Sequence, residues 1–344
     1  MDDGVAIAEP VRVGVVGAGR IGTSHAELLA RRVPGARLLA VADPRPGAAD
    51  AVASRLGCRA VASPAQLFGG SDIEAVVIAA SSEAHTELIL AATAAGKAVF
   101  CEKPMGLTIA DIDRAIEAAR AAGVALQVGF NRRFSADFAA ARQLVLDGKI
   151  GPPQLIRSVT RDPGLANPGG VPLWTIFLQT LIHDFDTLLW LNPGANATTV
   201  YASADALVAP EFKDAGLLDT AIVVIKFDNG AIATAEASFS AVYGYDVRGE
   251  VFGSAGMATI GDVAPNSLRY HSRDGRHADT VRGDVELFRD AYTAEFAEFT
   301  DAVRGRREPA VTGRDARRAL VLALASIESV KTGLPVSVGT IDPS

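Results

Sequence analysis

Val11-Arg12-Val13-Gly14-Val15-Val16-Gly17-Ala18-Gly19-Arg20-Ile21-Gly22 decides the fold, because a β-branched apolar run passes through a glycine-rich turn into a stretch of helical character at 23–32. A GxGxxG between a strand and a helix has a mechanical meaning that a lone glycine turn lacks. Gly17 permits the tight bend, Gly19 lets the backbone approach a pyrophosphate, and Gly22 lets the helix pack closely. The free N–H groups of the first helical turn then face the phosphates, which adds Arg20 and Ile21 to the nucleotide-binding set.

The same alternation continues outward. Apolar runs at 11–16, 38–42, 75–80, 98–101 and 125–129 alternate with alanine-rich helical stretches at 23–32, 47–56, 83–95 and 109–122. Near-continuous apolarity suits strands covered on both faces, so this half reads as a doubly wound parallel sheet. Thr108 caps the last of these helices, with Asp111 in its first turn. Asp43 ends the second strand 21 residues after Gly22, where a carboxylate accepts both hydroxyls of an adenosine ribose and repels a 2′-phosphate. The expectation is NAD rather than NADP. Asp43-Pro44 also starts a turn, and Arg45 is a counter-signal for NADP.

Beyond Gly129 the character changes. A helix at 136–146, Gly151-Pro152-Pro153, a strand at 154–160 and a Gly/Pro-rich loop lead to an apolar stretch, 173–191, read as one buried helix. Strands follow at 198–208, 220–227, 231–239 and 247–252, with Asp228-Asn229-Gly230 as a hairpin turn and a second hairpin turning at Asp274-Gly275. Helices at 285–304 and 314–331 end the pattern. The expected architecture is α/β: a Rossmann doubly wound sheet over 1–129, then an α/β domain with an open, mostly antiparallel sheet over 130–344. The sheet face without helices needs a cover, and a second copy in a homodimer or homotetramer supplies it.

Composition removes several function classes. The 344 residues carry a formal net charge of −7, the wrong sign for a surface that neutralises nucleic-acid phosphates. Cys58 and Cys101 have no zinc or disulfide spacing and read as buried free thiols of a reducing compartment. Met1-Asp2-Asp3-Gly4 lacks the basic start of an export signal, and Gln179, His183, Asp184 and Asp186 interrupt 173–191, which argues against a membrane span. A cytoplasmic protein is expected.

Cys101-Glu102-Lys103-Pro104 brings in a family. Together with Gly17–Gly22 and the following His25, Ser81 and His85, Gly96-Lys97-Ala98-Val99-Phe100, Gly129-Phe130-Asn131-Arg132-Arg133-Phe134 and Ile182-His183-Asp184-Phe185-Asp186, it resembles the Gfo/Idh/MocA oxidoreductases. Arg161-Asp162-Pro163, Tyr243-Gly244-Tyr245-Asp246 and Glu250-Val251-Phe252-Gly253 look most like the inositol 2-dehydrogenase branch. The resemblance implies hydride transfer between NAD and a secondary hydroxyl of a cyclic polyol or sugar, at the cleft between the domains.

That reaction needs a base for the hydroxyl proton and a positive group for the developing alkoxide. By resemblance Lys103 polarises the oxygen, His183 is the base, and Ser81, His85 and Glu102 join Lys103 at the cofactor. No metal is implied, and Asp184 and Asp186 fall on different helix faces. Gln179 departs from the pattern, since inositol dehydrogenases place an aspartate one turn before the histidine. Arg133, Asp162, Trp174, Tyr243 and Tyr245 are candidate substrate residues, although Arg132 and Arg133 could equally cap the neighbouring helix or pair with Asp137. Two other functions fit the same residues: an NAD(P)H-dependent keto-sugar reductase, and a nucleotide-sensing regulator that has lost catalysis.

Overall fold

The computed structural model describes residues 9–164, 171–208, 213–214, 217–261, 263–264 and 268–342. By contact, the described residues up to Gly129 group with Tyr292–Ala316, and Phe130–Ala291 group with the chain from Arg317 onward.

The first unit runs β1 (Val11–Val16), α1 (Arg20–Arg31), β2 (Ala36–Ala42), α2 (Ala48–Leu56), β3 (Arg59–Val61), α3 (Pro64–Gly69), β4 (Ala75–Ile78), α4 (His85–Ala94), β5 (Ala98–Cys101), α5 (Ile109–Ala122) and β6 (Leu126–Val128). Its strands are parallel in the order β3-β2-β1-β4-β5-β6, so the order reverses between β1 and β4, the crevice where open α/β sheets hold ligands. β4 and β5 are buried at every position, as their apolarity requires. β3 and α3 escape sequence reading: three edge residues carry no period, and α3 is a short helix begun by Ser63 and Pro64. Thr108 does cap α5, its hydroxyl accepting the Asp111 N–H at 3.1 Å. Cys101 is buried, but Cys58 is half-exposed beside the edge strand β3, which corrects the expectation for that thiol. The segment Tyr292–Ala316 joins this unit because Phe296 and Phe299 pack on Phe100, with ring centroids 4.8 and 5.9 Å apart.

The second unit holds α6 (Ala136–Leu146), β7 (Pro153–Arg161), α7 (Leu181–Leu191), β8 (Ala197–Asp205), β9 (Thr220–Phe227), β10 (Ile232–Ser238), β11 (Asp246–Gly253), β12 (Met257–Ile260), β13 (Tyr270–Ser272) and β14 (Gly275–His277). After α8 (Asp284–Leu287) and α9 (Arg289–Gly305) come α10 (Gly313–Thr332), β15 (Val336–Ser337) and α11 (Val338–Ile341). Seven strands form one sheet in the order β12-β11-β7-β10-β9-β8-β15, antiparallel except where β7 meets β10. Alternation sorts its faces. Ala221, Val223 and Ile225 of β9 are buried, whereas Leu155, Tyr201, Ile222, Ile232, Phe252 and Met257 leave an exposed apolar outer face.

Three expectations need correction. The stretch 173–191 is a π-helical turn, Ile176–Thr180, running into α7, not one α-helix. The helix expected at 285–304 breaks at Phe288 into α8 and α9. Ser272 pairs with Gly275, so the second hairpin turns at Arg273-Asp274, one residue earlier than expected. Among the described residues no helix is long and apolar enough to cross a membrane.

Candidate active site

β1 delivers the chain to Gly17 at φ 103°, and a Cβ there would lie 2.4 Å from the Ala79 carbonyl oxygen. A Cβ on Gly22 would lie 2.0 Å from the Gly17 carbonyl oxygen, while the space around Gly19 is open to 4 Å. α1 follows its cap residue Gly19 with no side-chain cap and no acid in its first turn, a helix start of the kind that meets phosphate. One bend that favours glycine, at Gly17, a close packing that excludes a side chain at Gly22, and an uncapped helix start fit a dinucleotide pyrophosphate. Asp43 stands next to them. One of its oxygens accepts the Ala18 N–H at 2.7 Å, the other accepts the Arg45 N–H at 2.8 Å, and the Arg45 guanidinium grips both at 2.9 and 3.0 Å. The Arg45 grip, outweighing burial, holds the Asp43 carboxyl down at about 2.

Ser81 is exposed at the carboxyl end of β4, ahead of a short 3-10 turn, Ser82–Ala84. His85 is buried, with its ring nitrogens 2.8 Å from the Pro104 carbonyl and 3.2 Å from the Ala80 carbonyl. Both nitrogens thus face the backbone, and burial lowers the ring's affinity for a proton. Glu102 is buried as well: one oxygen lies 2.6 Å from His25 Nε2 and the other accepts the Lys103 N–H at 3.2 Å. Lys103 itself is half-buried, just past the carboxyl end of β5. Of the residues assigned to the cofactor, Gly19 has open space around it, Ser81 is exposed and Lys103 is half-buried, whereas the Asp43 carboxylate is buried in its bonds to Ala18 and Arg45. His85 and Glu102 are occupied in holding the chain around Lys103.

In the second unit, Gln179 and His183 are half-buried on an otherwise buried run from Ile176 to Leu189, interrupted besides them only by Leu178. They share the open side of that run. A π-turn inside a helix is frequently found at functional positions, and Gln179 lies within this one. The Phe130 ring meets His183 edge-on at 5.9 Å. Beneath, Arg132 is buried and donates to Asp184 at 2.7 Å and to the Thr160 hydroxyl at 2.5 Å, while Ser158 and Thr160 donate to the same carboxylate at 2.5 and 2.8 Å. Arg133 makes a two-pronged bond to Asp186 at 2.8 and 2.5 Å and lies 5.7 Å from the Trp190 ring centroid. Asp184 and Asp186 therefore serve separate arginines, and the helix-cap and Asp137 alternatives do not describe these side chains.

The tyrosines separate as well. Tyr243 donates to Asp246 at 2.6 Å, and Asp246 is clasped by Arg248, all on the sheet face away from α7. Burial works against the Asp246 charge, but the Arg248 and Tyr243 bonds outweigh it and hold the carboxyl below its ordinary value. Tyr245 is half-buried within the field of Asp162, Arg132 and Asp184, and desolvation pushes its hydroxyl well above the usual range. Asp162 is pinned by its backbone, its N–H to Ser238 at 2.9 Å and its carbonyl to Ala241 at 2.8 Å. Trp174 has φ 62°, rare for a bulky residue, and its ring lies 5.5 Å from the Lys331 ammonium. Asp162 and Tyr245 are thus gathered near the ion pair under His183, and Tyr243 is not. Among the described residues no group of three or more His, Cys, Asp or Glu could hold a metal ion.

Residues 11–130 match the model of an oxidoreductase family with an NAD-binding Rossmann fold, and residues 142–338 match the C-terminal alpha/beta domain of the same family. The chain belongs to the Gfo/Idh/MocA oxidoreductases. It is 38% identical over 329 residues to a myo-inositol 2-dehydrogenase of Thermotoga maritima, covering 93% of this chain and 96% of that one. It is 35% identical to a scyllo-inositol 2-dehydrogenase (NAD(+)) of Bacillus subtilis, covering 95% of this chain and 96% of the relative. A scyllo-inositol dehydrogenase of Lactobacillus casei, solved with NAD(H) and scyllo-inositol, superimposes with a TM-score of 0.90 at 30% identity, over 96% of this chain and all of that one.

In this Gfo/Idh/MocA oxidoreductase, sequence reasoning missed the Arg132–Asp184 and Arg133–Asp186 pairs, although a signal existed. Four charges in otherwise apolar segments must find partners, because charged side chains are almost never buried alone. The pairing of His25 with Glu102 was missed too, and a histidine on the apolar face of α1 was its only trace.

Proposed function

We propose that the chain oxidises a secondary hydroxyl of a cyclic polyol of the inositol type, or of a sugar, with NAD. The observation that carries this reading is end-to-end similarity to inositol 2-dehydrogenases, 38% identity across 93% of the chain in one case. NAD, when bound by the glycine loop, the start of α1 and Asp43, supplies the acceptor for the hydride. Loss of hydride from a carbinol loads negative charge on its oxygen. The Lys103 ammonium offsets that charge, and a ring nitrogen of His183 takes the hydroxyl proton. Gln179 orients the substrate or the imidazole through its amide, without the charge an aspartate would bring. Asp162 and Tyr245 supply hydrogen bonds to the remaining hydroxyls, and Trp174 a flat apolar face.

NAD is preferred to NADP because the Asp43 carboxylate stays ionised beside the glycine loop. The exposed apolar outer face of the second unit's sheet is covered by a second copy, making a homo-oligomer. Sizing by light scattering tests that assembly, and a monomer at micromolar concentration would refute it. Activity is tested by offering ring polyols and pyranoses with NAD and following nicotinamide absorbance. Oxidation of at least one inositol or pyranose, lost in Lys103→Met by about a hundredfold or more, is expected. A Lys103→Met protein that turns over near the wild-type rate would remove this residue from the mechanism.

A further inference from the structure

His25 stands on α1, three residues past the last glycine of the phosphate loop, and its side chain is wholly buried. Three rings surround it edge-on, Phe100 at 6.2 Å, Tyr292 at 5.3 Å and Phe296 at 4.9 Å between centroids. Its Nδ1 is buried with no hydrogen-bond partner among the described residues. A ring nitrogen left so is costly, and a phenylalanine would fill the same aromatic niche without that cost. Packing alone does not account for a histidine here. What the histidine adds is Nε2, held 2.6 Å from Glu102 Oε1.

Glu102 carries the contact onward. Its second oxygen accepts the backbone N–H of Lys103 at 3.2 Å, so α1, His25, Glu102 and Lys103 form one connected line. On the far side of the same turn, His85 reaches the Pro104 carbonyl at 2.8 Å. The groups facing the Glu102 carboxylate are His25, His85 and Lys103, with the Cys101 thiol next to it on β5. The ring of Tyr292 faces His25 from α9. Burial disfavours the Glu102 charge, but the His25 bond leads the influences that outweigh it and keep the carboxyl below its ordinary value.

We propose that His25 is a positioning residue for Lys103, acting through Glu102: it orients the carboxylate that hooks the Lys103 backbone and keeps a negative charge beside the Lys103 ammonium. The inference rests on the reading of Lys103 given above. Without the Nε2 bond, burial acts on the carboxylate with less to offset it and shifts it towards its protonated form. Lys103 then loses a neighbouring charge, and its backbone N–H loses a charged acceptor.

The test uses the full-length protein with NAD and the polyol it oxidises fastest. His25→Phe keeps the aromatic packing and removes the bond; His25→Gln puts an amide donor near the place of Nε2. Expected for His25→Phe are a kcat lowered at least about tenfold, a KM for NAD within about threefold, and a displaced pH-rate limb, with His25→Gln recovering most of the loss. A second readout does not depend on turnover. The Lys103 ammonium is titrated by carbon NMR after reductive methylation of lysines, its signal assigned by absence in Lys103→Arg. Its midpoint should fall by about one pH unit in His25→Phe, the size expected when an opposite charge is lost from the neighbourhood. Should His25→Phe fail to fold, Glu102→Gln removes the same charge and should lower the midpoint likewise. Wild-type turnover in Lys103→Met would overturn the role of Lys103 alone. An unmoved midpoint and pH profile in folded His25→Phe would overturn this inference.

Discussion

Replacing Asp184 by Asn is the sharpest test of how the helix bearing His183 is held. The Arg132 and Asp184 side chains are 3% and 0% exposed, so neither charge can turn to water when its partner is lost. Breaking a buried ion pair from one side typically costs about 3–5 kcal/mol, because the remaining charge stays desolvated and uncompensated. Asparagine keeps one oxygen that can accept from Arg132 or Ser158, which places Asp184→Asn near the lower end, about 3 kcal/mol. Against a total stability of roughly 5–15 kcal/mol this is a large fraction. At about 2–4 °C per kcal/mol for a unit of this size, the melting temperature should fall by roughly 6–12 °C. Both tryptophans, Trp174 and Trp190, lie in the second unit, so their fluorescence during urea unfolding reports the region concerned. The double variant Arg132→Met/Asp184→Leu removes both charges and should be less destabilised than Asp184→Asn. A loss under about 1 kcal/mol in the single variant, or a double variant worse than the single, would refute the reasoning.

Three further outcomes are expected. Steady-state kinetics should show NAD preferred over NADP by at least about tenfold, roughly 1.4 kcal/mol, and Asp43→Ser should narrow the gap; equal efficiency in the wild type would refute the assignment of Asp43. The depressed Asp43 carboxyl stabilises the fold fully above its unfolded value of 3.8 and loses that contribution as pH falls towards 2. Because the Arg45 side chain is 62% exposed, solvent screening limits the contribution to about 1 kcal/mol. The urea midpoints of wild type and Asp43→Asn should therefore differ near neutrality and converge in acid; a constant difference would argue against the pairing. Finally, myo-inositol should be a poor substrate of the wild type, and Gln179→Asp should raise its turnover by roughly ten- to a hundredfold, since a charge-assisted hydrogen bond of about 1.5–3 kcal/mol is restored to the imidazolium. Unchanged rate and pH profile in Gln179→Asp, with myo-inositol already preferred by the wild type, would show that this position does not tune the base.

The nucleotide half was legible residue by residue because its signals are local. β1 and β5 fall at the residues expected, and Gly17 and Gly22 stand where their missing side chains matter. The Thr108 cap was legible for the same reason, since it spans three residues. Five of the second sheet's seven strands were legible, but the short edge strands β12 and β15 were not, and neither was the topology. Nothing within β7 or β10 announces that these two run parallel while their other neighbours run antiparallel.

Of the candidate site, the sequence by itself determined which side chains are present: a lysine at a strand's carboxyl end, a histidine on a buried helix, and an amide four residues before it. Tertiary structure alone decided their company. It joined Arg132 to Asp184 across 52 positions and Arg133 to Asp186 across 53, and it set Tyr243 on the outer face of the sheet while Tyr245 came to the ion pair. It also brought Phe296 and Phe299 back onto Phe100, closing the niche of His25. The physical reason is one of range. Capping, turn geometry and hydrophobic period act between residues a few positions apart, and a single chain displays them directly. A buried charge or polar ring needs some partner, but which of several it receives depends on how whole elements pack, and that is a property of the folded chain.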